Sequence, residues 1–81
     1  MMQYENYKNY LRDNIYIIVE KIHELMQQDK KDDFIKGQLM AYYDIVDLFK
    51  QQSEFFDIDI AEIGLNNINE CDIFKIYNDE K

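Results

Sequence analysis

Hydrophobic positions recur with helical spacing along residues 34–56. Ile35, Leu39, Tyr42, Val46, Phe49 and Phe56 form one series of alternating four- and three-residue steps, interrupted only by Ser53. A second series, Phe34, Ala41, Ile45, Leu48 and Phe55, lies beside it. At roughly 100° per residue the two series cover about half of the helix circumference, more than one partner helix can bury. This helix is therefore expected to be wedged between two other surfaces.

Residues 3–28 predict an earlier helix whose seam is Leu11, Ile15, Ile18, Ile22 and Leu25, with Tyr4 on the same line and Tyr7, Val19 and Met26 widening it. Extending that seam forward would put Asp29, Asp32 and Lys36 in the core, whereas the next apolar series restarts one residue out of phase at Ile35. The chain must break at residues 29–33. There Asp32 or Asp33 can accept hydrogen bonds from the first free amides of the second helix, and Lys30 and Lys31 suit the negative end of the first. So short a connection makes the helices antiparallel neighbours. Gly37 inside the second helix costs about 1 kcal/mol relative to Ala. With Ala41 it makes a small pair four residues apart, which predicts close approach of another helix.

After Phe56 the spacing changes. Asp59 and Glu62 stand at capping-box separation and Gly64 is a C-terminal stop, which predicts one turn over 60–63. Ile58, Ile60, Ile63 and Leu65 are then available to cover the open flank of the second helix. Residues 66–70 read as a turn. Asn69 is placed to cap a short helix over 70–77 in which Ile73, Phe74, Ile76 and Tyr77 keep helical spacing, with an extended segment as the alternative. The predicted fold is all-α: an antiparallel helical hairpin with short C-terminal helical turns, forming one domain that assembles into a four-helix-like homodimer.

Gly37, Leu39, Ala41, Tyr42 and Tyr43, followed by Phe56, Ile58 and the Glu62-Ile63-Gly64-Leu65 turn, resemble a pattern in small uncharacterised bacterial or mobile-element proteins. That pattern is a Gly-x-Leu-x-Ala-Tyr-Tyr helix followed by a Glu-x-Gly-Leu turn. The resemblance covers about a third of the chain and implies a helical hairpin with a C-terminal lid, without an established activity.

At 81 residues the chain holds one small core with a thin stability margin, so help from a partner is expected. Cys71 is the only cysteine and cannot form an internal disulfide; it reads as a small, partly buried hydrophobe. No apolar run is long enough for a signal peptide or a membrane span, which makes the cytoplasm the expected compartment. Abundant Ile, Asn, Lys and Tyr without Pro or Trp matches residue usage in AT-rich genomes. The net charge of −8 is uneven: residues 1–36 carry −1 and residues 37–81 carry −7. Between Lys50 and Lys75 lie Glu54, Asp57, Asp59, Glu62, Glu70 and Asp72 with no basic residue, so direct nucleic-acid binding is disfavoured.

Candidate chemistry is sparse. Glu20 and His23 have the spacing of half a di-iron site, but relative to the seam they point roughly 160° and 100° away from the core, and no second such pair exists. Asp57, Asp59 and Glu62, like Asn67, Asn69 and Asp72, lack the glycine and the bidentate acid of a calcium loop. Asp44 and Asp47 read as a solvated face. No enzyme, cofactor or metal site is predicted.

Interaction is the better-marked property. Tyr10 and Ile17 lie off the seam of the first helix on one side and Tyr16 on the other. Met40 and Tyr43 are expected to project from the second helix, beside Ile45 and Leu48 of its second series. These seven residues are the expected self-association surface. The alternative is that the carboxylates Glu54, Asp57, Asp59, Glu62, Glu70 and Asp72 imitate a phosphate row, making the chain a phage or mobile-element inhibitor of a basic, nucleic-acid-binding protein surface.

Overall fold

The computed structural model describes the backbone of residues 2–78 and the side chains of residues 4–76. It is all-helical, with no strand among the described residues. Helix α1 spans Met2–Met26 and α2 spans Asp33–Phe55; two 3₁₀ turns follow at Ile60–Ile63 and Leu65–Asn67, and α3 spans Glu70–Asn78. The helical alternative for the last segment is the one adopted.

The break between α1 and α2 follows from the phase slip. Asp32 is the N-cap of α2, its carboxylate accepting from the Ile35 amide at 2.9 Å. The Lys31 ammonium donates to the Gln28 carbonyl, left free at the end of α1.

Ile15, Val19 and Ile22 of α1 meet Leu39 and Val46 of α2, and the core is completed by Ile63, Leu65, Ile68 and Ile73 from the C-terminal third. Ser53, the polar interruption in the α2 series, is buried among them, while its backbone carbonyl accepts from the Ile58 amide at 2.8 Å. Ile68, expected in a turn, is buried as well. Tyr4, Tyr7 and Phe56, which the periodicity aligned with the core, are instead exposed, because the helices' outer ends extend past the packed region. The radius of gyration of 14.1 Å, against about 12 Å for a compact chain of this length, reflects that elongation.

Two left-handed residues turn the chain around. At the end of α2 the Ile58 amide reaches the Ser53 carbonyl and the Asp57 amide the Glu54 carbonyl, a Schellman closure with Asp57 (φ 61°) where glycine is commonest. Seven residues later Gly64 (φ 85°) ends the first 3₁₀ turn, its amide bonding the Ile60 carbonyl. At the start of that turn the Asp59 side chain accepts from the Ala61 amide at 3.0 Å.

These two positions predict opposite responses. Asp57→Gly removes a left-handed strain of about 1–2 kcal/mol, partly offset by glycine's greater unfolded-state freedom, and is expected to stabilise by about 1 kcal/mol. Gly64→Ala imposes the strain and is expected to destabilise by about 1–2 kcal/mol. Urea denaturation of both variants checks the signs.

Candidate interaction surface

Helix α2 carries six charged residues: Asp33, Lys36, Asp44, Asp47, Lys50 and Glu54. Taking Val46 as the core line and advancing roughly 100° per residue, all six fall between about 40° and 160° on one flank. The C-terminal segment packs on that same flank. Lys50 reaches across to it, donating to the Ile68 carbonyl at 2.9 Å and to the Glu70 carboxylate at 2.8 Å. One helical step further from the α3 start, the Tyr43 and Phe74 rings meet with centroids 5.8 Å apart. The Asn69 side chain caps α3 by accepting from the Cys71 amide at 2.8 Å.

Sequence reasoning expected the C-terminal apolar residues to cover the greasy flank of α2. The 3₁₀ turns instead lean mainly on α1, and α3 covers the charged flank of α2. The apolar flank is left bare. Phe34, Ala41, Ile45, Leu48 and Phe55 are all exposed, Phe34 at 74% and Phe55 at 84%. A Cβ placed on Gly37 would meet nothing within 4 Å, so the neighbouring helix that the Gly37–Ala41 spacing predicts is not supplied within the described residues.

Helix α1 extends the bare surface. Measured from Ile15, Tyr16 lies about 100° toward the C-terminal segment, bordering a depression with Arg12, Ile63, Gly64 and Asn67. Tyr10 and Ile17 lie about 140° and 160° round in the opposite sense. In antiparallel neighbours, equal turns from a shared core line lead to one side of the hairpin, so Tyr10 and Ile17 share a face with Ile45 and Leu48. The expected set therefore divides. Tyr10, Ile17, Ile45 and Leu48 are exposed on the side away from the C-terminal segment, Ile17 and Leu48 at its two outer edges, whereas Tyr16, Met40 and Tyr43 belong to the side occupied by that segment. Tyr43, expected to project, is half-buried beneath α3.

The six carboxylates also divide. Glu70 is tied to Lys50 and half-buried, so it is not available to a partner. Glu54, Asp57, Asp59, Glu62 and Asp72 are exposed. Three of these, Asp57, Asp59 and Glu62, line an open cleft of about 330 Å³ between the start of α1 and the elbow after α2; Tyr4, Tyr7, Lys8, Leu11, Ile58 and Ile63 form its remaining walls. Periodicity did not reveal this cleft, because residues 57–59 belong to no regular element.

Other candidates lead elsewhere. Glu20 and His23 are exposed, and no three-residue metal-ligating group exists among the described residues. Cys71, expected to be partly buried, is exposed, lying about 160° round α3 from the buried Ile73. No described helix is long and apolar enough to cross a membrane. No family model, curated protein or solved structure matches the chain.

The Lys50 clasp has a pH signature. Burial, the largest influence on Glu70, pushes its carboxyl up; the hydrogen bond from Lys50, the bond from its own backbone amide and the charge of Lys50 together outweigh this, and the pKa is lowered. A lowered folded-state pKa contributes stability that is fully present above the unfolded value and is lost as pH falls through the folded value. Urea midpoints are therefore expected to drop as pH is taken below the ordinary glutamate range. Glu70→Gln should flatten that part of the profile; an unchanged slope would show that the clasp is not what titrates.

Proposed function

We propose that this chain is a small acidic interaction protein that pairs with a second copy of itself through the bare face of the hairpin, forming a four-helix-like homodimer. The observation that supports this best is the charge segregation. In a chain with net charge −8, like charge opposes self-association almost everywhere. The flank bearing Phe34, Ala41, Ile45 and Leu48 carries no charged residue on α2, and on the matching flank of α1 Lys21 lies within it and Glu24, about 180° from Ile15, lies on its edge. Two copies can meet there with little repulsion.

The area is adequate. Tyr10, Phe34 and Phe55 are 72%, 74% and 84% exposed, and at about 150–250 Å² for a whole aromatic side chain they offer roughly 450 Å². Ile17, Ile45 and Leu48 bring the face toward the roughly 800 Å² per partner of a standard interface. The unoccupied surface at Gly37 and Ala41 lets a second backbone approach closely.

Sedimentation equilibrium at low micromolar concentration is expected to give twice the 9.9 kDa of the chain. Leu48→Glu places two unpaired carboxylates in a two-fold interface and should weaken pairing by about tenfold or more. Asp44→Lys, on the charged flank, should leave pairing intact. A wild-type species of 9.9 kDa whose unfolding midpoint does not depend on concentration would refute the reading.

A further inference from the structure

The cleft between the start of α1 and the elbow after α2 borders the bare face, since its Tyr7 is one turn from Tyr10, and has a different chemistry. Its floor is apolar: Leu11, Ile58 and Ile63. Tyr4 and Tyr7, one turn apart on α1 and each at least 70% exposed, stand along one wall. Asp57, Asp59 and Glu62 stand along the other, and Lys8 is the one basic residue in the lining. Among the described residues the only ion pair is Lys50 with Glu70, so Lys8 forms no direct ion pair with any of the three carboxylates. One oxygen of Asp59 is used in the cap to Ala61. The side-chain carboxylates of Asp57 and Glu62 make no hydrogen bond or ion pair among the described residues.

The geometry points to an arginine side chain, presented by a peptide segment of a partner protein, as the occupant of this cleft. Each part of an arginine finds a matching surface. Its aliphatic stem suits the Leu11–Ile58–Ile63 floor. Its planar guanidinium can lie against a tyrosine face, where the ring quadrupole attracts a cation. The same group can donate paired hydrogen bonds to a carboxylate on the opposite wall, which a lysine ammonium cannot do in one plane. A cleft of about 330 Å³ accommodates one such side chain and a neighbouring apolar residue, not a folded domain. The three-to-one excess of carboxylates excludes an anionic occupant. The Schellman closure fixes the backbone at Asp57 and the cap holds the Asp59 carboxylate in place before any ligand arrives, which lowers the ordering cost of binding.

The probe is a fluorescein-labelled Gly-Arg-Leu-Arg-Gly peptide, titrated with the full chain by anisotropy at near-physiological salt. Its citrulline counterpart keeps the planar shape but removes the charge and replaces one donor nitrogen of the guanidinium with an accepting oxygen. Saturable binding is expected for the arginine peptide and at least about tenfold weaker binding for the citrulline one. Tyr7→Leu and Glu62→Gln change exposed residues and should leave the far-ultraviolet circular dichroism unaltered while each weakens binding about fivefold. Leu48→Glu, which targets self-association, should leave peptide affinity unchanged, so this proposal and the pairing reading stand or fall separately. Absence of saturable binding up to about 1 mM would overturn the assignment. So would an affinity indifferent to Tyr7→Leu, which would reduce the interaction to undirected charge attraction. Loss of binding in Leu48→Glu with retention in Tyr7→Leu would move the site to the bare face and overturn it equally.

Discussion

The arrangement of this molecule depends on the confinement of every charge on α2 to one flank. A helix with two sides to cover has only one short C-terminal segment available, and that segment goes to the charged side. Electrostatics explains the choice. Glu70 and the carbonyl of the buried Ile68 both need a donor, and Lys50 is the donor within reach. Had the segment crossed to the apolar side, Lys50 would face solvent and Glu70 would meet a flank of α2 that carries no cation. Buried polar groups must be satisfied, and here that requirement outweighs the area gained by covering a few more methyl groups. The apolar side is left uncovered by the described residues.

The sequence made much of this legible, and the parts that it concealed share a cause. The helices, the break at residues 29–33, the caps at Asp32, Asp59 and Asn69 and the stop at Gly64 are all local features, set by phase or by a side chain bonding a backbone amide a few residues away. Ile15, Ile22, Leu39 and Val46 were readable as core because they repeat at helical spacing. Ile68 and Ser53 were not: one lies in an irregular stretch and the other is polar, and their burial depends on contacts between distant segments. Tyr4, Tyr7 and Phe56 satisfied the periodicity yet lie outside the core, since a helical pattern can run on past the point where a neighbour ends.

The candidate surfaces follow the same division. Tyr10, Ile17, Ile45 and Leu48 could be read as exposed from phase because no described segment covers them. Tyr43 and Glu70 could not be placed correctly without knowing which flank α3 takes, and that choice is tertiary. The cleft at the elbow brings residues 4–11 together with residues 57–63, and no periodic signal links the two stretches.

The elongated outline, 51 by 21 by 16 Å, has a hydrodynamic consequence. A single chain of this shape drags like a heavier sphere and elutes early from a sizing column. Side-by-side union along the long axis would thicken a short dimension and leave the length nearly unchanged, so the frictional ratio would fall as the mass doubled. Elution volume alone would then understate the change between one copy and two, whereas tumbling time and diffusion read together would separate them.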